Sequence, residues 1–300
     1  MTLPWKSTTD IRQVFLDYFR GNDHQIINPS GILPKNDPTL MFINSGMAPL
    51  KPYFTGQAKP PYPRLTNVQD CIRFVDVESV GDSYHGTNFR MMGSWSFGDY
   101  FKEQAIELAF ELITEGFGIP ADRLSATVFM ADESLPGVPS DEESARIWEK
   151  FLPRDRIIGR PPVDNFWGPA GTSGPCGPCT EVFFDRGEKF AEKETDDVLV
   201  PGRHIEIWNA GVFMQYFKDE KGNFSPLPMK CVDTGAGLER FAMILQGSAS
   251  IHEIDQYNPS YQLINQRIGD TAWTRIILDH IKTSILMIRE GIIPSNTREG

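Results

Sequence analysis

The sequence predicts an α+β protein in which antiparallel strands are combined with amphipathic helices at both ends of the chain. Three observations carry this. Ser7-Thr-Thr-Asp10 matches a capping box, and Ile11, Val14, Phe15, Tyr18 and Phe19 then form one apolar stripe, so a helix runs to about Arg20. Val68–Phe74 and Thr87–Met92 read as strands separated by about a dozen polar residues containing Gly81 and Gly86, an antiparallel hairpin. Past Gly247 the pattern turns helical, most clearly over Trp273–Glu290, with Ile277, Ile281, Ile285 and Ile288 on one side.

The remaining elements follow in order. Gln25 to Phe54 is rich in Pro, Asn and Gly, with short extended pieces such as Leu40–Ile43. Ser94–Phe101 reads as a glycine-containing aromatic turn; Trp95, Phe97 and Tyr100 could touch a ligand, but an aromatic cluster is more often core. An amphipathic helix with Ile106, Ala109, Phe110 and Ile113 ends at Gly116. Leu124–Met130 is a strand and Asp141–Phe151 a helix. The run from Asn165 to Cys179 holds too many Gly and Pro residues for regular structure and reads as a shaped loop. Thr180–Asp185 and His204–Trp208 are strands, and the charged segment between them, 186–202, is exposed. A Trp-Asn-Ala-Gly turn then precedes Val212. A domain boundary is expected near residues 247–255, giving 1–250 and 251–300.

The chain has 300 residues, 29 of them basic and 40 acidic. That balance argues against broad non-specific nucleic-acid binding but leaves room for a local basic groove. No apolar run reaches membrane-span length, and four cysteines in so long a chain point to a reducing, cytoplasmic setting.

Chemistry concentrates around Cys231-Val-Asp-Thr-Gly-Ala-Gly-Leu-Glu-Arg240. Its glycines let the backbone pass close to a bulky neighbour and open a helix marked by Leu238, Phe241, Ala242 and Leu245. Asp233 and Arg240 then stand on either side of a strand-to-helix turn. With Arg73 and Phe89 on the hairpin, Trp167 in the shaped loop, Val212, Gly235 and Gly237, these residues can hold a nucleotide on an antiparallel sheet. An aromatic face and a guanidinium sandwich a base, a second guanidinium binds phosphate and carboxylate, and a carboxylate holds an ammonium group.

At these positions the chain resembles the N-terminal part of the bacterial-type alanyl-tRNA synthetases, a class II aminoacyl-tRNA synthetase family. The resemblance runs from end to end. Its anchors are Asn36-Asp-Pro-Thr-Leu40, Cys71-Ile-Arg73, Ser96-Phe-Gly-Asp-Tyr-Phe-Lys102, Asp164-Asn-Phe-Trp167, Gly174-Pro-Cys-Gly-Pro-Cys-Thr-Glu181, Ile205-Glu-Ile-Trp-Asn209, Val232–Arg240 and Pro294-Ser-Asn296. It implies a mainly antiparallel sheet flanked by helices, then the start of a helical tRNA-binding domain. It also implies ATP and Mg²⁺ as cofactors, and L-alanine and the acceptor stem of tRNA(Ala) as partners. Arg73 resembles the motif 2 arginine that touches the α-phosphate and the amino-acid carboxylate. Phe89 resembles the aromatic that stacks on adenine, and Arg240 the motif 3 arginine on the opposite side of the nucleotide, with Gly237 beside it. Trp167, Val212, Asp233 and Gly235 match the amino-acid pocket, with Asp233 on the ammonium. The Mg²⁺ candidates are Glu181, Glu206 and Asp233.

The sequence departs from the family at two places. Phe89-Arg90-Met91 stands where the family carries a carboxylate after the phenylalanine, and the loop after Arg73 is short, lacking a lysine and histidine often found there. If Phe89 faces adenine, strand alternation sends Arg90 to the other side of the sheet. These departures keep two other readings open. One is a stand-alone paralogue activating a small amino acid for a carrier protein or other acceptor. The other is a non-catalytic nucleotide- or tRNA-binding paralogue, which intact Arg73, Asp233 and Arg240 disfavour. The end at Gly300 reads as that of a fragment, without editing or oligomerising domains. Cys176 and Cys179 make half of a zinc site at most, since structural zinc takes four ligands, with Cys71 and Cys231 expected in the core. His85 either approaches phosphate or is exposed, and His280 is structural.

Overall fold

The computed structural model describes residues 3–35, 37–169, 172–192 and 195–296; Asn36, Ala170, Gly171 and the chain end at Gly300 lie outside the described residues. The capping box forms: Ser7 Oγ accepts from the Asp10 amide and the Asp10 carboxylate accepts from the Ser7 amide. It starts α1 (Thr8–Gly21). The other helices are α2 (Lys51–Phe54), α3 (Lys102–Glu111), α4 (Glu142–Trp148), α5 (Pro162–Asn165), α6 (Leu238–Gln246), α7 (Asn258–Ile268) and α8 (Ala272–Arg289). Gly247 ends α6 in the left-handed conformation, φ 67°, where a side chain is disfavoured.

The strands are β1 (Gln25–Ile26), β2 (Arg64–Ile72), β3 (Asn88–Phe97), β4 (Leu124–Phe129), β5 (Ile157–Arg160), β6 (Phe166–Trp167), β7 (Gly174–Asp185), β8 (His204–Lys218) and β9 (Phe224–Gly237). They build one sheet in the order β1-β2-β3-β9-β8-β7-β4-β5, with β6 paired beside β7. Pairs β1–β2 and β4–β5 are parallel, and the other pairings are antiparallel. The expected α+β sheet flanked by helices is therefore the observed one.

Period-two alternation divides the sheet into two unlike faces. Met92, Val232, Ala236, Trp208 and Phe213 point one way and pack with Ile11, Phe15, Ile106 and Phe241 from α1, α3 and α6 in the main core. Trp95, Phe97, Val212, Met214 and Cys231 point the other way, into a smaller cluster under Met47, Leu50 and Phe54. The rest of that second face is open.

Four stretches differ from the sequence reading. Ser94–Phe97 is strand, not turn. Its serines look loop-like but bond inside the protein, Ser94 Oγ to Thr234 Oγ1 at 2.8 Å and Ser96 Oγ to the Tyr100 carbonyl at 2.7 Å. The Asn165–Cys179 run contributes β6 and the start of β7, because here glycine serves close strand packing: a Cβ on Gly177 would lie 2.0 Å from the Phe213 carbonyl oxygen. Trp208-Asn-Ala-Gly continues β8 through a register shift between Asn209 and Val212, a bulge and not a turn. Leu40–Ile43 forms no strand, although the Ile43 amide bonds the Ile32 carbonyl at 2.8 Å.

Arg90 lies on the helix side, as alternation requires. Its Nε donates to Glu239 Oε1 at 2.9 Å and its amide to Oε2 at 3.0 Å. Glu239 is buried on α6, and burial, which would raise its carboxyl, is outweighed by Arg90 and Lys282, which hold it low. The positive side chain thus has a buried negative partner. Reversing it by Arg90→Glu would set two carboxylates together and should lower stability by about 3–5 kcal/mol. Urea denaturation of wild type, Arg90→Glu and Arg90→Glu/Glu239→Gln checks this, with the double variant recovering part of the loss. A loss under about 1 kcal/mol would place Arg90 in solvent.

Candidate active site

Alternation along β9 presents Asp233, Gly235 and Gly237 to the open face, and the helix that follows brings Arg240 beside them. Arg73, Phe89, Trp167, Glu181, Glu206, Val212, Asp233, Gly235, Gly237 and Arg240 all line one cleft. Every candidate site residue read from the sequence is among them, although they are spread over some 170 positions of chain.

Arg73 sits just beyond β2, its amide bonded to the Thr87 carbonyl at 2.8 Å. Its Nε donates to the Asn44 carbonyl at 2.8 Å, and its guanidinium carbon lies 5.0 Å from the Phe89 ring centroid. The aromatic and the cation are thereby set against each other at the cleft. Arg240, on the first turn of α6, donates through one terminal nitrogen to the Glu206 carbonyl at 2.7 Å and carboxylate at 3.0 Å. Its guanidinium carbon lies 5.6 Å from the Tyr84 ring centroid. Both arginines are aimed by backbone carbonyls, which leaves other N–H donors of each fork for an anionic ligand.

Asp233 pairs across the sheet with Trp95 on one side and Val212 on the other. Its Oδ1 accepts from Trp95 Nε1 at 2.7 Å. Burial pushes its carboxyl up to about 7, against the Trp95 hydrogen bond and the Arg73 charge, which pull it down. A cationic group entering here would restore the ionised form. Gly235 is small for a reason internal to the chain: a Cβ there would stand 2.8 Å from Met91 Sδ. At Gly237 the nearest contact of a Cβ would be an ordinary 3.5 Å to Arg240, so that position is open towards the cleft.

Glu181 on β7 and Glu206 on β8 are neighbours. Burial, then the Glu206 charge, drives the Glu181 carboxyl well above the usual carboxylate range. The third magnesium candidate, Asp233, bonds the Trp95 indole instead, with the Arg73 charge acting on it from farther off. Among the described residues no three His, Cys, Asp or Glu side chains gather as a metal cluster. Cys176 and Cys179 are buried free thiols in β7, and burial pushes Cys176 up to about 12 and Cys179 well above its ordinary value. Cys71 and Cys231 are buried as expected. His85 lines the cleft, its Nδ1 2.5 Å from Asp82 Oδ2, while His280 lies on the exposed side of α8 next to Asp279.

Sequence reasoning missed three participants. Trp95 reads as core in preference to ligand-facing, yet it supplies the side-chain donor to Asp233; counting by twos from Phe89 along β3 places it on the cleft face. Tyr84 covers Arg240, and no spacing signals this. Ser45 lines the cleft with its Oγ buried and without a hydrogen-bond partner.

A family model described as tRNA synthetases class II (A) matches residues 10–300. Alanine–tRNA ligase of Acidovorax sp. (strain JS42) is 44% identical over 319 residues, covering 100% of this chain and 35% of that protein. Alanine–tRNA ligase of Treponema denticola is 42% identical over 304 residues, covering 97% of this chain and 50% of that one. That of Rubrobacter xylanophilus is 42% identical over 308 residues, with 97% and 34% covered. The chain thus spans about a third to a half of the length of these curated relatives.

The raised carboxyl of Asp233 has a consequence for stability. Its native value of about 7 lies above the ordinary 3.8, so the native state binds the extra proton and stability falls as pH rises through that window. Asp233→Asn, which keeps an oxygen for Trp95, removes the loss. Its urea midpoint should match wild type near pH 4 and exceed it increasingly up to about pH 7. A wild-type–variant difference that is constant from pH 4 to pH 8 would show that Asp233 is not buried as described.

Proposed function

The chain belongs to the tRNA synthetases class II (A), and we propose that its cleft activates L-alanine with ATP and passes the alanyl group to the 3′ end of tRNA(Ala). The observation that carries this reading is the joint placement of Asp233 and Arg73 in one narrow cleft with Phe89 and Arg240. Asp233 takes the α-ammonium of alanine, and Arg73 takes the carboxylate together with the α-phosphate of ATP. Phe89 and Arg240 hold the adenine between them. Val212 and Trp167 bound the side-chain end and leave room for little beyond a methyl group. The identity of the curated relatives supports alanine as the amino acid.

The chemistry needs few groups. The alanine carboxylate oxygen attacks the α-phosphorus, the bond to the bridging oxygen of pyrophosphate breaks in line, and alanyl-adenylate forms. A carboxylate is already ionised at neutral pH, so no general base is required. The chain's work is alignment and charge stabilisation by two fixed guanidinium groups. Glu181 and Glu206 fit a hard divalent cation: they are two oxygen donors, one of them buried against the other's charge, and Mg²⁺ commonly takes one or two carboxylates with phosphate and water oxygens. When bound there it neutralises phosphate charge. In the second step a terminal ribose hydroxyl of tRNA attacks the alanyl carbonyl and AMP leaves.

The carrier-protein reading drew on Arg90 and on the short loop after Arg73. The pairing of Arg90 with Glu239 accounts for Arg90 within the fold and removes that half of the argument. Among the described residues no helix is long and apolar enough to cross a membrane. Four buried free thiols support a reducing, cytoplasmic location. We assign residues 1–250 to activation and 251–300 to the start of a tRNA-binding part.

Two measurements of amino-acid-dependent ATP–pyrophosphate exchange test the proposal. Arg73→Ala should abolish exchange while remaining folded, because one guanidinium serves both reactants; exchange near wild type would refute its role. Across five amino acids the rates should rank alanine first, serine and glycine lower but measurable, valine and leucine near background. One methyl is worth only about 1–3 kcal/mol of discrimination, and an apolar pocket rejects an added hydroxyl weakly. Val212→Gly should raise serine relative to alanine. Preference for a larger or β-amino acid would overturn the alanine assignment.

A further inference from the structure

The loop between β2 and β3, residues 73–87, carries Tyr84 and His85 into the cleft and leads into β3 just before Phe89, yet it is held largely from outside the sheet. Arg275 Nε donates to the Gly81 carbonyl at 2.7 Å. The Ile251 amide donates to the Ser83 carbonyl at 2.9 Å. Asp279 Oδ1 accepts from the Thr87 amide at 3.0 Å, and Lys282 Nζ donates to the Asn88 carbonyl at 2.8 Å. Three of these four anchors are side chains of α8, at positions 275, 279 and 282, one helical face. Asp279 is fully buried, and Lys282 stands 3.6 Å from it as its counter-charge. The fit is close: a Cβ on Gly86 would lie 3.2 Å from Asp279 Oδ1 and 3.3 Å from the Asn88 carbonyl oxygen.

We propose that α8 is a clamp on the nucleotide side of the cleft, with Asp279 as its principal positioning residue. The residue touches no reactant. It acts through the Thr87 amide, whose carbonyl in turn receives the Arg73 amide, so one carboxylate fixes the loop end that lies between Arg73 and Phe89. Loss of the clamp frees residues 81–88 and with them Tyr84, the ring over Arg240. The amino-acid side of the cleft, built from Asp233, Trp95 and Val212 on β9, β3 and β8, has no contact with α8 through these anchors. The inference rests on the reading of the cleft as an ATP site, and it places α8 in control of ATP more than of alanine, which shares only Arg73 with the clamped side.

The test compares wild type, Asp279→Ala, Asp279→Asn and Arg275→Ala, in the full 300-residue chain. Amide hydrogen exchange without ligand should be faster over 81–88 in Asp279→Ala, with β9 unchanged. ATP affinity, measured by calorimetric titration of ATP alone, should fall roughly tenfold or more, the scale of one lost hydrogen bond to a charged group. The KM for alanine in pyrophosphate exchange, which depends on the clamped side only through Arg73, should change by a clearly smaller factor than the ATP affinity. Asp279→Asn keeps an acceptor for Thr87 and should recover most of the ATP affinity. Arg275→Ala, at a partly exposed position, should show the same split more weakly and serves if Asp279→Ala does not fold. Unchanged exchange over 81–88, unchanged ATP affinity, or equal losses for ATP and alanine would each overturn the clamp. A wild-type chain that binds no ATP would instead sink the reading of the cleft, and the loop exchange would then decide the clamp alone.

Discussion

A carboxyl group taken out of water with one side-chain hydrogen-bond donor is the constraint on which the site depends. Asp233 is 6% exposed and its partner is the Trp95 indole. An ionised carboxylate so placed is costly unless a cation joins it, and Arg73 supplies only distant charge. The sheet makes this placement unavoidable. Val232 and Thr234 must enter the helix-covered side, so Asp233 faces the open side, between Trp95 on β3 and Val212 on β8. An amino acid brings the missing positive charge in its ammonium group. In the proposed reading, recognition is the completion of an ion pair, with the entering ammonium restoring the ionised form of Asp233.

The far side of the same strands carries the compensation. Arg90, one residue from Phe89, closes on Glu239, one residue from Arg240. The ion pair therefore ties β3 to α6 directly behind the two groups proposed to sandwich the base. Beyond it, Lys282 and Asp279 continue the buried charges into α8 and out to the loop. Rigid placement of Phe89 and Arg240 is thus shared by sheet, strand-to-helix turn and the helical segment that follows.

Much of this was legible in the sequence for identifiable reasons. The capping box, the hairpin and the stripe after Gly237 follow from local spacing, and the ten cleft residues from motifs whose chemistry is distinctive. Other parts depend on partners distant in the chain. Ser94 reads as loop because nothing local shows its hydroxyl bonding Thr234. Gly177 reads as loop because the nearby Phe213 carbonyl is 36 positions away. On α8 the apolar series at 277, 281, 285 and 288 is exposed, whereas Thr274, Asp279 and Thr283 are buried. A hydrophobic period does not reveal that a helix has been recruited to bind loop backbone, which polar side chains do and isoleucine does not.

Asp233, Arg73, Phe89 and Arg240 are proposed to bind one aminoacyl-adenylate together. The most direct measurement is a crystal structure of the chain with a non-hydrolysable alanyl-adenylate analogue. The analogue's ammonium should lie within hydrogen-bond distance of Asp233, its acyl–phosphate link at Arg73, and its adenine ring between Phe89 and Arg240. An analogue seated elsewhere, or seated in the cleft with its ammonium away from Asp233, would contradict the proposal.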